Sequence, residues 1–445
     1  MRIVERTELP NIFWKTDAAA ATAAILAAGC KTPVLGRFAL AHSDDDAHYL
    51  IRDRLGLNKL FFHLDRKDRV LTAGNFIHEV ARATGDYANV FSVPPAHYVR
   101  VDRRSLEVSV VRYYDMQAFV DDLPDLDPEA FRAKVDAILT GVFSEIPGRF
   151  PDARFLVCLS GGLDSTIVAA YAKRSLPGVE AVTFSYSTPG RNPPGVYTRD
   201  ELARLDPGDP LLSEDFHSAR KIADALAIPF NAVLCDKSID TEVLREVLVH
   251  AQDWRDFNVH CAWVNDRIGA AIRRARPGES LVVITGDLMN EFLADYTPVE
   301  YDGTEYYPQP KVSKTRRRDF FVYGLEAGDR EIGVFHRHGI VTVQPYAALA
   351  ELYLGLPGET IEPADAKEKL NGPLIADSTV RELVGRVKVR AQVGGAEGGT
   401  LGLFHERGID QDALLETWLS IFTPLTRGKI EDDLVTTGRY RMMGS

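Results

Sequence analysis

The 445-residue chain has only four cysteines, Cys30, Cys158, Cys235 and Cys261, and they show no metal-ligand or redox spacing. Cys158 lies inside an apolar run, so buried or free thiols in a reducing cytosol are expected rather than a disulfide framework. Long apolar runs are missing too. The alanine-rich residues 17–29 are too short and too weakly apolar to span a bilayer, and the N-terminus shows no signal-peptide pattern. No membrane partner is therefore expected. Positive charge is in deficit: 52 Lys and Arg face 64 Asp and Glu, for a formal net charge of −12. A nucleic-acid partner would call for a basic face, so none is expected. Internal repeats and low-complexity tracts are absent, and the eleven histidines form no convincing ligand set. These exclusions leave an ordinary soluble, cytoplasmic chain, long enough for two or three domains.

Against that background one dozen residues stand out, Phe155-Leu-Val-Cys-Leu-Ser-Gly-Gly-Leu-Asp-Ser-Thr166. An apolar strand ends in Ser160-Gly161-Gly162, and a helical pattern with Ile167, Val168, Ala170 and Tyr171 on one face begins after Asp164-Ser165. Such a turn aims free backbone N–H groups and the positive end of a helix dipole at one spot, which suits phosphate. The glycines allow close backbone approach, and the serines add hydroxyl donors. A carboxylate at Asp164 makes sense if a divalent cation bridges it to the phosphates. The pattern is neither a Gly-Lys-Ser/Thr phosphate loop nor a Gly-x-Gly-x-x-Gly dinucleotide turn.

Along the chain, residues 1–115 read as a β-rich unit of short apolar runs separated by turn residues. An acidic, proline-containing stretch from Asp121 to Pro128 reads as a linker, and a helix carrying Phe131, Val135, Ile138, Leu139 and Val142 follows it. From Arg154 onward strands (155–159, 180–185, 230–235, 281–285) alternate with helical patterns (165–175, 214–226, 241–275). The expected fold class is α/β, a doubly wound parallel sheet spanning a second domain at 116–445, with the phosphate loop at the carboxyl ends of the strands. Residues 345–390 and 409–443 look mostly helical, and the glycine-rich 393–402 suits either a lid or a plain connector.

Ser160-Gly-Gly-Leu-Asp-Ser resembles the pyrophosphate loop of the N-type ATP pyrophosphatases, and within them the chain is most similar to asparagine synthetase and the β-lactam synthetases. Ala181-Val-Thr-Phe-Ser resembles the family strand whose backbone receives adenine, and Ser213-Glu-Asp-Phe-His resembles its acidic-start helix. Thr285-Gly-Asp-Leu-Met-Asn-Glu-Phe-Leu-Ala-Asp-Tyr296 resembles a loop in which the family uses an aspartate for a second magnesium–pyrophosphate contact. Asn290 stands at that aspartate's position, so either Asp287 or Glu291 is the replacement carboxylate or the second metal is held more weakly. Gly385-Arg-Val-Lys-Val-Arg resembles the element whose lysine stabilises the transition state, which makes Lys388 the catalytic cation; its alternative is a solvated lysine. Glu331 resembles the substrate-facing glutamate.

What the resemblance implies is an ATP site with Mg²⁺. Leu159, Ser160, Gly161, Gly162, Asp164 and Ser165 take the phosphates, Val182, Thr183 and Phe184 the adenine, and Thr285 and Gly286 complete the nucleotide site. Asp164, Asp287, Asn290 and Glu291 are the metal candidates, and Lys388 and Glu331 are catalytic. The implied activity is an AMP- and pyrophosphate-forming ligase joining a small-molecule carboxylate to an amine. Intramolecular lactam closure, adenylation of a carbonyl or amide oxygen, and a non-catalytic nucleotide-binding paralogue are the alternatives, and a homodimer is left open.

The segment His48-Tyr-Leu-Ile-Arg-Asp-Arg-Leu-Gly resembles class II glutamine amidotransferase domains. Such a domain works from an N-terminal cysteine. This sequence opens Met1-Arg-Ile-Val-Glu, its only cysteine in that region is Cys30, and the unit is short. A non-hydrolytic scaffold, with no use of glutamine, is therefore expected.

Overall fold

Strand Arg154–Cys158 buries both of its faces. Phe155 and Val157 pack with Phe143 of helix Pro128–Arg149, Ile167 of helix Leu163–Ser175 and Ile222 of helix Glu214–Ala225, whereas Leu156 packs with Val264, Ile268 and Ile272 of helix Asp256–Ala275. Cover on both faces is what a continuous apolar strand requires, and it is the signature of a parallel sheet between helical layers. The computed structural model describes residues 1–27, 33–116, 127–188, 190–325, 329–384 and 398–425. Its central sheet has six strands in the order Gly195–Tyr197, Phe230–Cys235, Glu180–Tyr186, Arg154–Cys158, Leu281–Ile284, Ile340–Val343. The first pairs antiparallel and the rest are parallel, so the fold is a doubly wound α/β sheet.

In chain order the parallel strands lie third, second, first, fourth, fifth. The winding therefore reverses between Arg154–Cys158 and Leu281–Ile284, which pair as Phe155 with Val282 and Val157 with Ile284. In open α/β sheets the crevice beyond the strand ends at this reversal is where ligands bind. The loops leaving these two strands begin at Leu159 and Thr285.

Some elements differ from expectation. The helix after the glycines starts at Leu163, two residues early. The helical region 241–275 is two helices, Thr241–Ala251 and Asp256–Ala275, broken where Gln252 takes a left-handed backbone at φ 54°. Its amide accepts from Ile77 N at 3.0 Å and donates to Asn75 O at 3.1 Å, tertiary bonds that offset the interruption. Strand Ile340–Val343, only four residues long, carries no sequence expectation. Most of the acidic stretch 121–128, the segment holding Lys388, and residues 393–397 of the glycine-rich stretch lie outside the described residues; Gly399–Glu406 is helical.

The first 112 residues hold two four-stranded sheets. Leu50, Val99 and Val101 from one pack on Phe62, Leu71 and Ala73 from the other. Arg54, buried, reaches from this part to the short helix Ala350–Leu354, pairing with Glu351 at 2.5 Å and donating to Ala347 O at 2.7 Å.

Candidate active site

Leu159 closes the strand ladder by donating its N–H to Val182 O at 2.9 Å. The chain then turns through Gly161, at φ +79°, where a β-carbon would also lie 2.6 Å from Ser218 Cβ. Glycine is needed there both for the left-handed backbone and for the contact with helix Glu214–Ala225. Gly162 is the N-cap of helix Leu163–Ser175 and offers no side chain to cap it. The first-turn N–H groups and the positive end of the helix dipole are thus left for a ligand. Ser165 Oγ braces the turn, accepting from Ser160 N at 3.2 Å and donating to Gly162 O at 3.1 Å. From the neighbouring strand, Gly286 lies so close that a β-carbon would sit 3.0 Å from Ser165 N.

These loops open on a cavity of about 890 Å³, within the range of small-molecule sites. Leu159, Ser160, Gly162, Asp164 and Ser165 form one wall, Val182, Thr183 and Phe184 another, and Thr285, Gly286, Asp287 and Asn290 a third, with Glu331 deeper. Gly161 and Glu291 are not among the lining residues, Gly161 being turned to Ser218. Residues that sequence reasoning did not assign also line it: Lys367, Asp295, Tyr296 and Arg330, together with Phe257, Cys261, Val264 and Ile268 along one face of helix Asp256–Ala275.

Charge is arranged in two groups. Lys367, 3% exposed, donates to Asp164 Oδ2, to Asn290 Oδ1 at 2.6 Å and to Asp295 Oδ2 at 2.9 Å. Burial disfavours its charge, but the Asp164 and Asp295 carboxylates more than offset this and hold its pKa above the usual lysine range. In the second group Arg330 Nη2 meets Asp287 and Glu291, each at 2.6 Å, and the Tyr296 hydroxyl donates to Glu291. Burial pushes the Asp287 carboxyl upward against the opposing pull of Arg330. Glu331 Oε2 accepts from Thr285 Oγ1 at 2.5 Å and Gln344 Nε2 at 2.9 Å. Burial, reinforced by Asp287, pushes Glu331 up to about 8.

The four metal candidates therefore do not converge. Asp164 and Asn290 share the Lys367 ammonium, whereas Asp287 and Glu291 share Arg330. The carboxylate that joins Asn290 is Asp295, from the same quoted loop. Among the described residues no three His, Cys, Asp or Glu side chains form a group able to hold a metal. Asp164 Oδ1, however, is buried without a hydrogen-bond partner among the described residues. A magnesium ion carried by phosphates takes only one or two protein carboxylates, so that oxygen fits it. Signals for the missed residues were present: Asp295 and Tyr296 end the loop already singled out, and Arg330 precedes Glu331. Lys367 carried none beyond its helical pattern.

Residues 150–317 match the sequence model of a family described as asparagine synthase. The glutamine-hydrolyzing asparagine synthetase of Sandersonia aurantiaca is 29% identical over 147 residues, which is 32% of this chain and 25% of that protein. The chain thus spans about a quarter of the length of this curated relative. Among solved structures, NMN synthetase from Francisella tularensis has a TM-score of 0.25 at 16% identity, covering 60% of this chain and 99% of its own. Glutamine-dependent NAD⁺ synthetase from Acinetobacter baumannii, in complex with ADP, has a TM-score of 0.28 at 13% identity, covering 97% and 64%. Over residues 150–317, then, the chain is similar to the asparagine synthase family.

Proposed function

We propose that this protein is an ATP-dependent ligase that activates a carboxylate as its adenylate, releases pyrophosphate and couples the acyl group to a free amine. The observation that carries this reading is one cavity lined by both the Ser160–Ser165 helix terminus, with Lys367 beside it, and a buried, raised-pKa Glu331.

In the first step a substrate carboxylate oxygen attacks the α-phosphorus and the bond to the β-phosphate breaks. The N–H groups of the first helical turn, Ser160 and Ser165 receive the departing pyrophosphate, and the Lys367 ammonium balances its charge. Bound magnesium on Asp164 would supply further charge neutralisation. Val182, Thr183 and Phe184 form the wall for the base. In the second step the amine nitrogen attacks the acyl carbon and AMP departs. Glu331, fixed by Thr285 and Gln344, accepts the amine's proton. Lys388 is the cation assigned to the oxyanion. The face of Phe257, Val264 and Ile268 shields the reacting centre from water. Residues 1–115 act as a scaffold for the ligase domain at 116–445.

A panel of amino acids and other small carboxylates, with ATP, magnesium and hydroxylamine as the amine, tests the proposal. The expected products are AMP and pyrophosphate in equal amounts, with ATP–pyrophosphate exchange when hydroxylamine is withheld. ADP and phosphate, or exchange unchanged in Asp164→Asn, would overturn it.

A further inference from the structure

Between the first unit and the end of the central sheet lies a void of about 20 Å³, bordered by Trp14, Arg37, Leu57, Thr342, Gln344 and Ala347. Its size suits a single water. Arg37 is 5% exposed and donates Nη1 to Thr342 O at 2.7 Å, while its Nε and Nη2 are buried with no hydrogen-bond partner among the described residues. Gln344 Oε1 and Thr342 Oγ1 are likewise buried and unpartnered among the described residues. Four orphaned polar atoms on residues that border one small pocket need an explanation, because each buried polar group left unsatisfied costs about 1–3 kcal/mol. Two of the four are donors, Gln344 Oε1 is an acceptor, and the Thr342 hydroxyl can act as either. A water molecule offers the complement: two lone pairs for the Arg37 fork and two hydrogens for the oxygens of Gln344 and Thr342. A halide would satisfy Arg37 but would face Gln344 Oε1, and that amide cannot turn over because its Nε2 already donates to Glu331 at 2.9 Å.

We propose that this void holds one structural water, and that Arg37 acts through it and Gln344 as a positioning residue for Glu331. The inference rests on the proposed role of Glu331, and it gives the first unit a part in the chemistry of the second. With Arg37 in place the Gln344 amide is held from behind, so its N–H stays on Glu331. The guanidinium also favours the ionised carboxylate. The other groups bearing on Glu331 are Asp287, which opposes its ionisation, Arg330, which favours it, and the Cys158 thiol. Asp329 caps the Glu331 N–H at 2.9 Å.

Two readouts test this without a known substrate. A high-resolution crystal structure of the wild-type protein should show one water in the void, bonded to Arg37, Gln344 and Thr342; a dry void overturns the proposal. Infrared titration of ¹³C-glutamate-labelled protein, with the Glu331 band assigned by its loss in Glu331→Gln, should give a midpoint near 8. In Arg37→Met that midpoint should rise, because the Arg37 guanidinium and the Glu331 carboxylate attract, and Arg37→Lys should restore most of it. An unchanged midpoint in folded Arg37→Met contradicts the relay. If Arg37→Met fails to fold, Arg37→Gln and the crystallographic water decide. Failure of the ligase reading would appear as absent AMP formation, leaving both readouts legible.

Discussion

At the residue scale, the fold commits the charge of three side chains. Lys367 is buried among Asp164, Asn290 and Asp295. Replacing it with Met should lower turnover by roughly 10²–10³, as for other lost transition-state donors. The same change strands two carboxylates, so stability should fall by about 3–5 kcal/mol, read by urea unfolding. Asp164→Asn removes charge but keeps shape, and should lose activity with far less loss of stability. Glu331 makes a prediction about pH. Its folded pKa is raised to about 8, so the basic form is scarce below that value and dominant above it. Amide formation should therefore rise as pH increases through about 8, and Glu331→Gln should lose both the rate and this limb. A profile flat from 6 to 9 in the wild type would contradict the assignment.

At the scale of elements, the strand–turn–helix was legible because three local rules agree: an apolar strand, paired glycines and a helical period. The sheet's alternation of strands and helices was legible for the same reason. What escaped was decided by tertiary contact. The break at Gln252 depends on bonds to Asn75 and Ile77, about 175 residues earlier in the chain. Strand Ile340–Val343 is too short for a period to show, and exists through its pairing with Leu281–Ile284. The pairing of Asp287 and Glu291 with Arg330 rather than with Asp164 could not be read from spacing at all. Gly161 tests the turn itself. Gly161→Ala meets both a positive φ and the 2.6 Å approach to Ser218 Cβ. It should cost about 1–3 kcal/mol and weaken ATP binding more than Gly178→Ala, whose positive φ lies in open space. Equal effects on ATP affinity in the two variants would mean that the turn is not the phosphate site.

At the scale of the molecule, the two parts of the chain are joined by buried polar contacts that neither makes alone. Arg54, from the first part, is almost wholly buried against Glu351 and Ala347 of the second. Arg54→Met should destabilise by about 3–5 kcal/mol because it leaves Glu351 uncompensated. Adding Glu351→Leu should recover much of that loss, measured by chemical denaturation. Arg54 fixes how the parts sit together, and Arg37 carries that placement toward Glu331. The net charge of −12 leaves the phosphate end of the cavity dependent on local cations and backbone N–H groups rather than on any long-range field.

The most direct measurement is a crystal structure with α,β-methylene-ATP and magnesium. The β- and γ-phosphates should lie on the first-turn N–H groups after Gly162, beside Lys367, with the α-phosphorus open toward Glu331. Phosphates bound at any other wall of the cavity, or the adenine seated at that turn, would contradict it.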